Sequence, residues 1–137
     1  MADELFFRSC SPSDVWWDRK NDKPSSQLFT PTPKDEGKLS VASSQKTSAK
    51  DFYQEFTQKL KLNSRGIWAV ADSEIQPVPN VKDENGDPVT VDCFEDEGPD
   101  KPTGHCLMDL SEYSKGRIKK IAKSLRNCAH DRGKLHP

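Results

Sequence analysis

The 137-residue sequence predicts an α+β fold: a small mixed or antiparallel sheet with two main helices and a long acidic loop insert. Three observations predict it. Short apolar runs bounded by Gly, Pro, Ser or Asp read as strands. Two longer stretches repeat apolar residues at helical spacing. Between them lies an acidic stretch broken by prolines. With 32% hydrophobic residues, 10 Pro and 7 Gly, the core is expected to be small and the loops extensive. One domain over residues 1–137 is the natural count at this length.

Taken in order, Leu5-Phe6-Phe7-Arg8-Ser9 reads as the first strand. Ser11-Pro12-Ser13-Asp14 then turns the chain, and Val15-Trp16-Trp17 follows as a short helical turn or a loop anchored by indoles. Two adjacent tryptophans rarely share one core, so at least one is expected at a surface or groove. Residues 18–38 are loop-rich, because Pro31 and Pro33 hold the threonines before them extended. Lys38-Leu39-Ser40-Val41 reads as a second strand after Gly37. The first helix opens at Thr47 or Ser48, with Asp51 completing a capping-box-like pattern. Its apolar stripe is Phe52, Phe56 and Leu60, with Tyr53 beside it.

Gly66-Ile67-Trp68-Ala69-Val70-Ala71 is nearly continuously apolar, the pattern of a buried central strand. Residues 76–104 then carry Pro77, Pro79, Pro88, Pro99 and Pro102 and an Asn85-Gly86 turn. They are expected to form a mobile acidic insert, with Val89–Phe94 as an edge strand or hairpin arm. His105-Cys106-Leu107-Met108-Asp109-Leu110 is the next strand. The last helix, capped by Ser111 or Ser114 and closed by Gly133, buries Ile118, Ile121, Ala122, Leu125, Cys128 and Ala129. Both helices are expected on one face of the sheet.

The formal net charge of −1 conceals a sorted distribution. Residues 72–112 hold 12 Asp/Glu against 2 Lys/Arg, whereas residues 113–137 hold 8 Lys/Arg against 1 acidic residue. Such asymmetry marks interaction surfaces or two segments that neutralise one another. Lys115, Lys119, Lys120, Lys123 and Arg126 fall on the polar side of the last helix, where they could track phosphates or simply face solvent.

No apolar run approaches the ~18–20 residues of a membrane span, and the acidic start lacks the basic region of a secretory signal. A soluble cytoplasmic protein, with no membrane partner, is expected. The four cysteines, Cys10, Cys93, Cys106 and Cys128, are therefore expected as thiols. His105-Cys106 and Cys128-x-His130 lack the spacing of a zinc site, so no metal is expected. Asp83–Asp87 lacks the order of a calcium loop, and phosphate-loop and nucleophile-elbow motifs are missing. On a strand, His105 and Cys106 point to opposite faces, which prevents the imidazole from activating the thiol. The densest polar run, Phe29 to Val41, is either a binding loop or a well-ordered connection whose side chains satisfy local backbone groups.

Together with Gly66–Val70, His105–Leu110 and the basic last helix, this run resembles a family of small uncharacterised bacterial proteins. Their signature is close to F-x-P-T-P-K-D-E-G-x-L-S-V. The resemblance implies a bacterial source and a setting in defence or mobile-element loci, but brings no activity. A weaker resemblance is to minimal ADP-ribosyltransferase-like folds, carried by Arg8 on the first strand and Ser40 in Leu39-Ser40-Val41. That resemblance implies NAD as cofactor, with Arg8, Ser40 and an acid, for which Asp109 is the candidate, as catalytic residues. Otherwise no cofactor is expected.

The leading expectation is a non-enzymatic interaction or regulatory protein that docks a protein partner. Its candidate contact residues are Trp16, Trp17, Thr30, Thr32, Lys34, Asp35, Lys119, Lys120 and Lys123. The alternatives are the NAD-binding enzyme and a nucleic-acid binder acting through the basic helix.

Overall fold

The computed structural model describes residues 3–13, 15–31, 36–59 and 61–136. Its centre is a five-stranded antiparallel sheet of β1 (Leu5–Ser9), β4 (Lys38–Ser43), β5 (Ile67–Ala71), β6 (Asp92–Glu95) and β7 (His105–Asp109), in the order β5-β1-β4-β7-β6. A two-stranded ribbon, β2 (Trp17–Asp18) and β3 (Lys23–Pro24), lies outside it. The helices are α1 (Ala49–Gln54), continued by a π-helical turn over Glu55–Lys59, and α2 (Lys115–Arg132).

Strand alternation divides the core in two. Phe6, Val41, Trp68, Val70, Cys106 and Met108 point toward α2, where they meet Ile121, Ala122, Leu125 and Ala129. Phe7, Ala42, Ile67 and Ala69 point the other way and meet Phe52 of α1. The two helices therefore cover opposite faces, not one face as expected. Odd and even positions of β1 and β5 are both apolar, so each face needs its own cover. Ser48 caps α1 by accepting from the Asp51 amide, and Ser114 caps α2 by accepting from the Arg117 amide. Phe52 is buried and Phe56 half-buried, while Leu60 lies outside the described residues.

β5 is wholly buried, yet it is an edge strand and not a central one. Its outer edge is closed by the C-terminal segment. The Ile67 amide donates to His136 O at 2.8 Å, and the Leu135 amide donates to Ile67 O at 2.8 Å. The Arg132 guanidinium adds a bond to Ala69 O at 3.0 Å. A covered edge reads in sequence as a central strand, because burial alone sets the apolar run.

The acidic segment departs from expectation over its first half. Val78, Val81, Val89 and Val91 are buried against the α2-side core. The Val78 amide donates to Val89 O and the Val91 amide to Ile75 O, each at 2.8 Å. Residues 76–91 are thus a packed part of the domain with acids on its outer side. The edge strand that follows begins at Asp92, later than the expected Val89. Leu107, expected in the core, is only half-buried on the α1 side of β7.

Candidate ligand-binding cleft

The ladder between β1 and β4 contains only Phe6↔Ser43 and Phe7↔Ala42. Beyond these pairs, Arg8–Ser9 and Lys38–Val41 have no ladder partner across this seam among the described residues. By contrast, β1 and β5 pair over five positions, as do β4 and β7. β1 and β4 therefore part toward the Ser9 end of β1. Arg8 spans the gap: its Nε donates to Leu28 O at 2.8 Å and its Nη1 to Ser40 O at 2.9 Å. Its guanidinium carbon lies 5.1 Å from the Trp16 ring centroid, a cation–π arrangement.

A cleft of about 740 Å³ opens where the strands part. Arg8, Trp16, Ser40, Phe52, Phe56 and His105 all line it. The Phe52 and Phe56 rings stand 6.0 Å apart on the α1 wall. Trp16 is positioned by the turn before β2, where its amide donates to Ser13 O at 3.1 Å and its carbonyl accepts from the Ser25 amide at 2.8 Å. The lining thus combines a cation, several hydroxyls, flat apolar rings and an imidazole. Concave sites of this size and make-up suit small molecules with a ring and a polar or anionic part.

His105 enters β7 from Gly104, whose φ of +75° is in the left-handed region. A Cβ at Gly104 would meet Lys46 Cβ at 2.8 Å, so glycine both permits the turn and admits the close approach. His105 is buried, with Nδ1 3.0 Å from Asp96 O and 3.2 Å from Asp96 Oδ2. Lys101 donates to Asp96 Oδ2 at 2.5 Å, and this bond holds the Asp96 carboxyl below its ordinary range, with the nearby His105 adding to the effect.

The cleft joins Arg8, Ser40 and Trp16 from the sequence-derived candidates. It does not join Asp109. That residue lies at the other end of β7, opposite Lys38, with its Oδ1 accepting from the Ser111 amide at 2.9 Å. The Ser111 hydrogen bonds lower the Asp109 pKa, so the acid serves a local turn. The carboxylate implied by the ADP-ribosyltransferase resemblance is therefore not supplied by Asp109.

Trp17, expected as a contact residue, is only 8% exposed. Its ring packs 6.2 Å from that of Trp68, with the Arg65 guanidinium 4.2 Å above it. Alternation at the start of β2 sends one indole to the core and the other to the cleft. Thr30 is half-buried and closes a 3₁₀ turn, donating from Oγ1 to Ser26 O at 2.8 Å. This is the local backbone role, not a contact role. Thr32, Lys34 and Asp35 lie outside the described residues.

Lys119, Lys120 and Lys123 are exposed on α2, and none joins an ion pair among the described residues. Lys120 and Lys123 also border a depression of about 390 Å³ against Pro79 and Asn80. Arg126, on the same helix, donates to Pro24 O at 3.3 Å.

No nucleophilic thiol emerges. Burial pushes Cys10 and Cys128 up to about 11 and raises Cys93 and Cys106 as well. Cys106 faces α2 while His105 faces the cleft, as strand alternation requires. Among the described residues, no group of three or more His, Cys, Asp or Glu side chains is placed to hold a metal. No described helix is long and apolar enough to cross a membrane.

His105 lines the cleft but was not among the sequence-derived candidates, and Phe52 and Phe56, expected only as the apolar stripe of the first helix, line it too. The signal for His105 was a histidine followed at alternate positions by Leu107 and Asp109, on the less apolar side of β7. Only the β4–β7 pairing, which sets His105 opposite Ala42, places that side near the parting strands. Comparison with family models, curated proteins and solved structures returns no match for this chain.

Proposed function

We propose that this protein binds a ring-bearing anionic small molecule of the nucleotide class, with NAD as the first candidate, in the cleft between β1 and β4. The observation that carries the reading is the convergence of Arg8 and Ser40. They are 32 positions apart in sequence and joined by a 2.9 Å hydrogen bond at the mouth of an aromatic-walled cleft. Arg8 supplies a cation whose orientation is set by two carbonyls and Trp16, so little freedom is lost when an anion docks. The Phe52, Phe56 and Trp16 rings supply flat apolar surface for a base. This reading retains the nucleotide of the ADP-ribosyltransferase resemblance but not its transfer chemistry, for which Asp109 is misplaced.

Isothermal calorimetry with NAD tests it. Saturable binding is expected with Kd below about 1 mM, weakened at least roughly tenfold by Phe56→Ala and by Arg8→Lys. A featureless titration of the folded wild type would overturn it.

The basic face of α2 supports a second reading, docking of an acidic protein partner of the kind a bacterial defence or regulatory component would engage. The favouring observation is that Lys119, Lys120 and Lys123 are exposed and carry no ion pair among the described residues. Charge reversal at all three should abolish partner recovery in a pull-down. A nucleic acid as the occupant would instead appear as steeply salt-dependent binding in a mobility shift.

A further inference from the structure

We infer that His105 is a specificity residue of the cleft, and that it demands a hydrogen-bond donor from the ligand: a sugar hydroxyl, not a phosphate. The inference rests on the nucleotide reading above and adds the part of the nucleotide that His105 recognises. It begins with the proton inventory of the ring. Nδ1 lies 3.0 Å from the Asp96 carbonyl oxygen and 3.2 Å from the Asp96 carboxylate. A carbonyl oxygen only accepts, and an ionised carboxylate only accepts. Lys101 keeps that carboxylate ionised by donating to it. Nδ1 must therefore carry the proton. In the neutral ring, Nε2 is then a lone-pair acceptor.

The second step is placement. His105 is 7% exposed and its ring lines the cleft, while Nε2 makes no hydrogen bond among the described residues. Nε2 is not among the side-chain nitrogens shut off from solvent without a partner, so it meets water in the cleft, and a ligand donor takes that water's place on binding. A phosphate oxygen, itself an acceptor, would face the lone pair unfavourably and is directed instead to Arg8. The two polar ends of the site thus sort a nucleotide: phosphate at Arg8, ribose hydroxyl at His105, ring surface against Phe52 and Phe56. Asp96 acts through the ring as a positioning residue. Sites that hydrogen-bond a substrate hydroxyl reject the analogue lacking it more strongly than apolar pockets reject a size change, because the analogue covers the acceptor, displaces its water and leaves it bare.

The test compares NAD with analogues in which one ribose hydroxyl at a time is replaced by hydrogen, titrated at pH 8 into wild type and into His105→Phe. One deoxy analogue is expected to bind wild type roughly tenfold more weakly than NAD, the worth of one hydrogen bond. In His105→Phe that difference should vanish, while NAD itself weakens by a similar factor. His105→Asn serves as a second variant, because its carbonyl can still accept and should restore part of the discrimination. In the free protein, long-range ¹H–¹⁵N spectra should show His105 as the Nδ1-protonated tautomer.

Equal binding of NAD and every deoxy analogue by wild type would overturn the inference and leave the cleft reading standing. An Nε2-protonated tautomer would also overturn it. Failure of wild type to bind NAD at all would remove the cleft reading and this inference together.

Discussion

Replacing Arg8 tests whether the parted strands depend on it. The guanidinium gives one N–H to Leu28 O at 2.8 Å and another to Ser40 O at 2.9 Å, and it lies over Trp16. Hydrogen bonds from a charged donor are worth about 1.5–3 kcal/mol each, and an exposed cation–π contact about 0.5 kcal/mol. The lower ends of these ranges come to about 3.5 kcal/mol. Arg8 is only half-buried, so solvent screening reduces this further, and a net loss of about 2–3 kcal/mol is expected for Arg8→Ala. At ~2.1 cal/mol/K per residue, 137 residues give an unfolding entropy near 0.29 kcal/mol/K, so Tm should fall by about 7–10 °C. Arg8→Lys keeps the charge but cannot direct two N–H groups from one rigid plane, and should lose about half as much. Urea unfolding followed by tryptophan fluorescence measures both. A loss below about 0.5 kcal/mol for Arg8→Ala would refute the role of Arg8 as a strut across the seam.

Trp17→Ala should destabilise the fold by about 3 kcal/mol in the same assay, as expected for a buried indole, whereas Trp16→Ala should cost clearly less and act mainly on ligand binding. Asp96 is held below its ordinary carboxylate value near 3.8, so its contribution to stability is complete above that pH and lost as pH falls through the lower folded value. Urea midpoints taken from pH 6 down to pH 3 should therefore decline less steeply in Asp96→Asn than in wild type. With Cys10 and Cys128 pushed up to about 11 and Cys93 and Cys106 also raised, native protein at pH 8 should react slowly with a thiol reagent. All four should react at once in denaturant, and fast labelling of the folded chain would contradict the assigned burial.

Much of the fold was legible because local chemistry decided it. The Ser48 and Ser114 caps, the α2 stripe and the apolar run of β5 each follow from side chains a few positions apart. What escaped required partners distant in sequence. β5 reads as central because nothing local reveals that His136 and Arg132 would cover its edge. Val78, Val81, Val89 and Val91 are spaced irregularly among acids and prolines, so their joint burial has no periodic signature. The placement of the helices on two faces follows from both parities of β1 and β5 being apolar, a pattern present in the sequence that two helices on one face would leave half uncovered.

The site divides in the same way. Arg8 and Ser40 were candidates from strand position alone, and the cleft brings them together. Asp109 shared that strand logic but lies at the far end of β7, because antiparallel pairing sets it opposite Lys38 and places Leu107 opposite Ser40. His105 needed the β4–β7 register and the return of Asp96 to its ring before its role could be seen.

The most direct test of a nucleotide site at the β1–β4 seam is NAD titration followed by backbone and aromatic chemical shifts of the assigned protein. The expected result is saturable movement at Arg8, Ser40, Phe56 and His105, with Lys119, Lys120 and Lys123 unmoved. No movement at millimolar NAD, or movement confined to α2, would contradict the account.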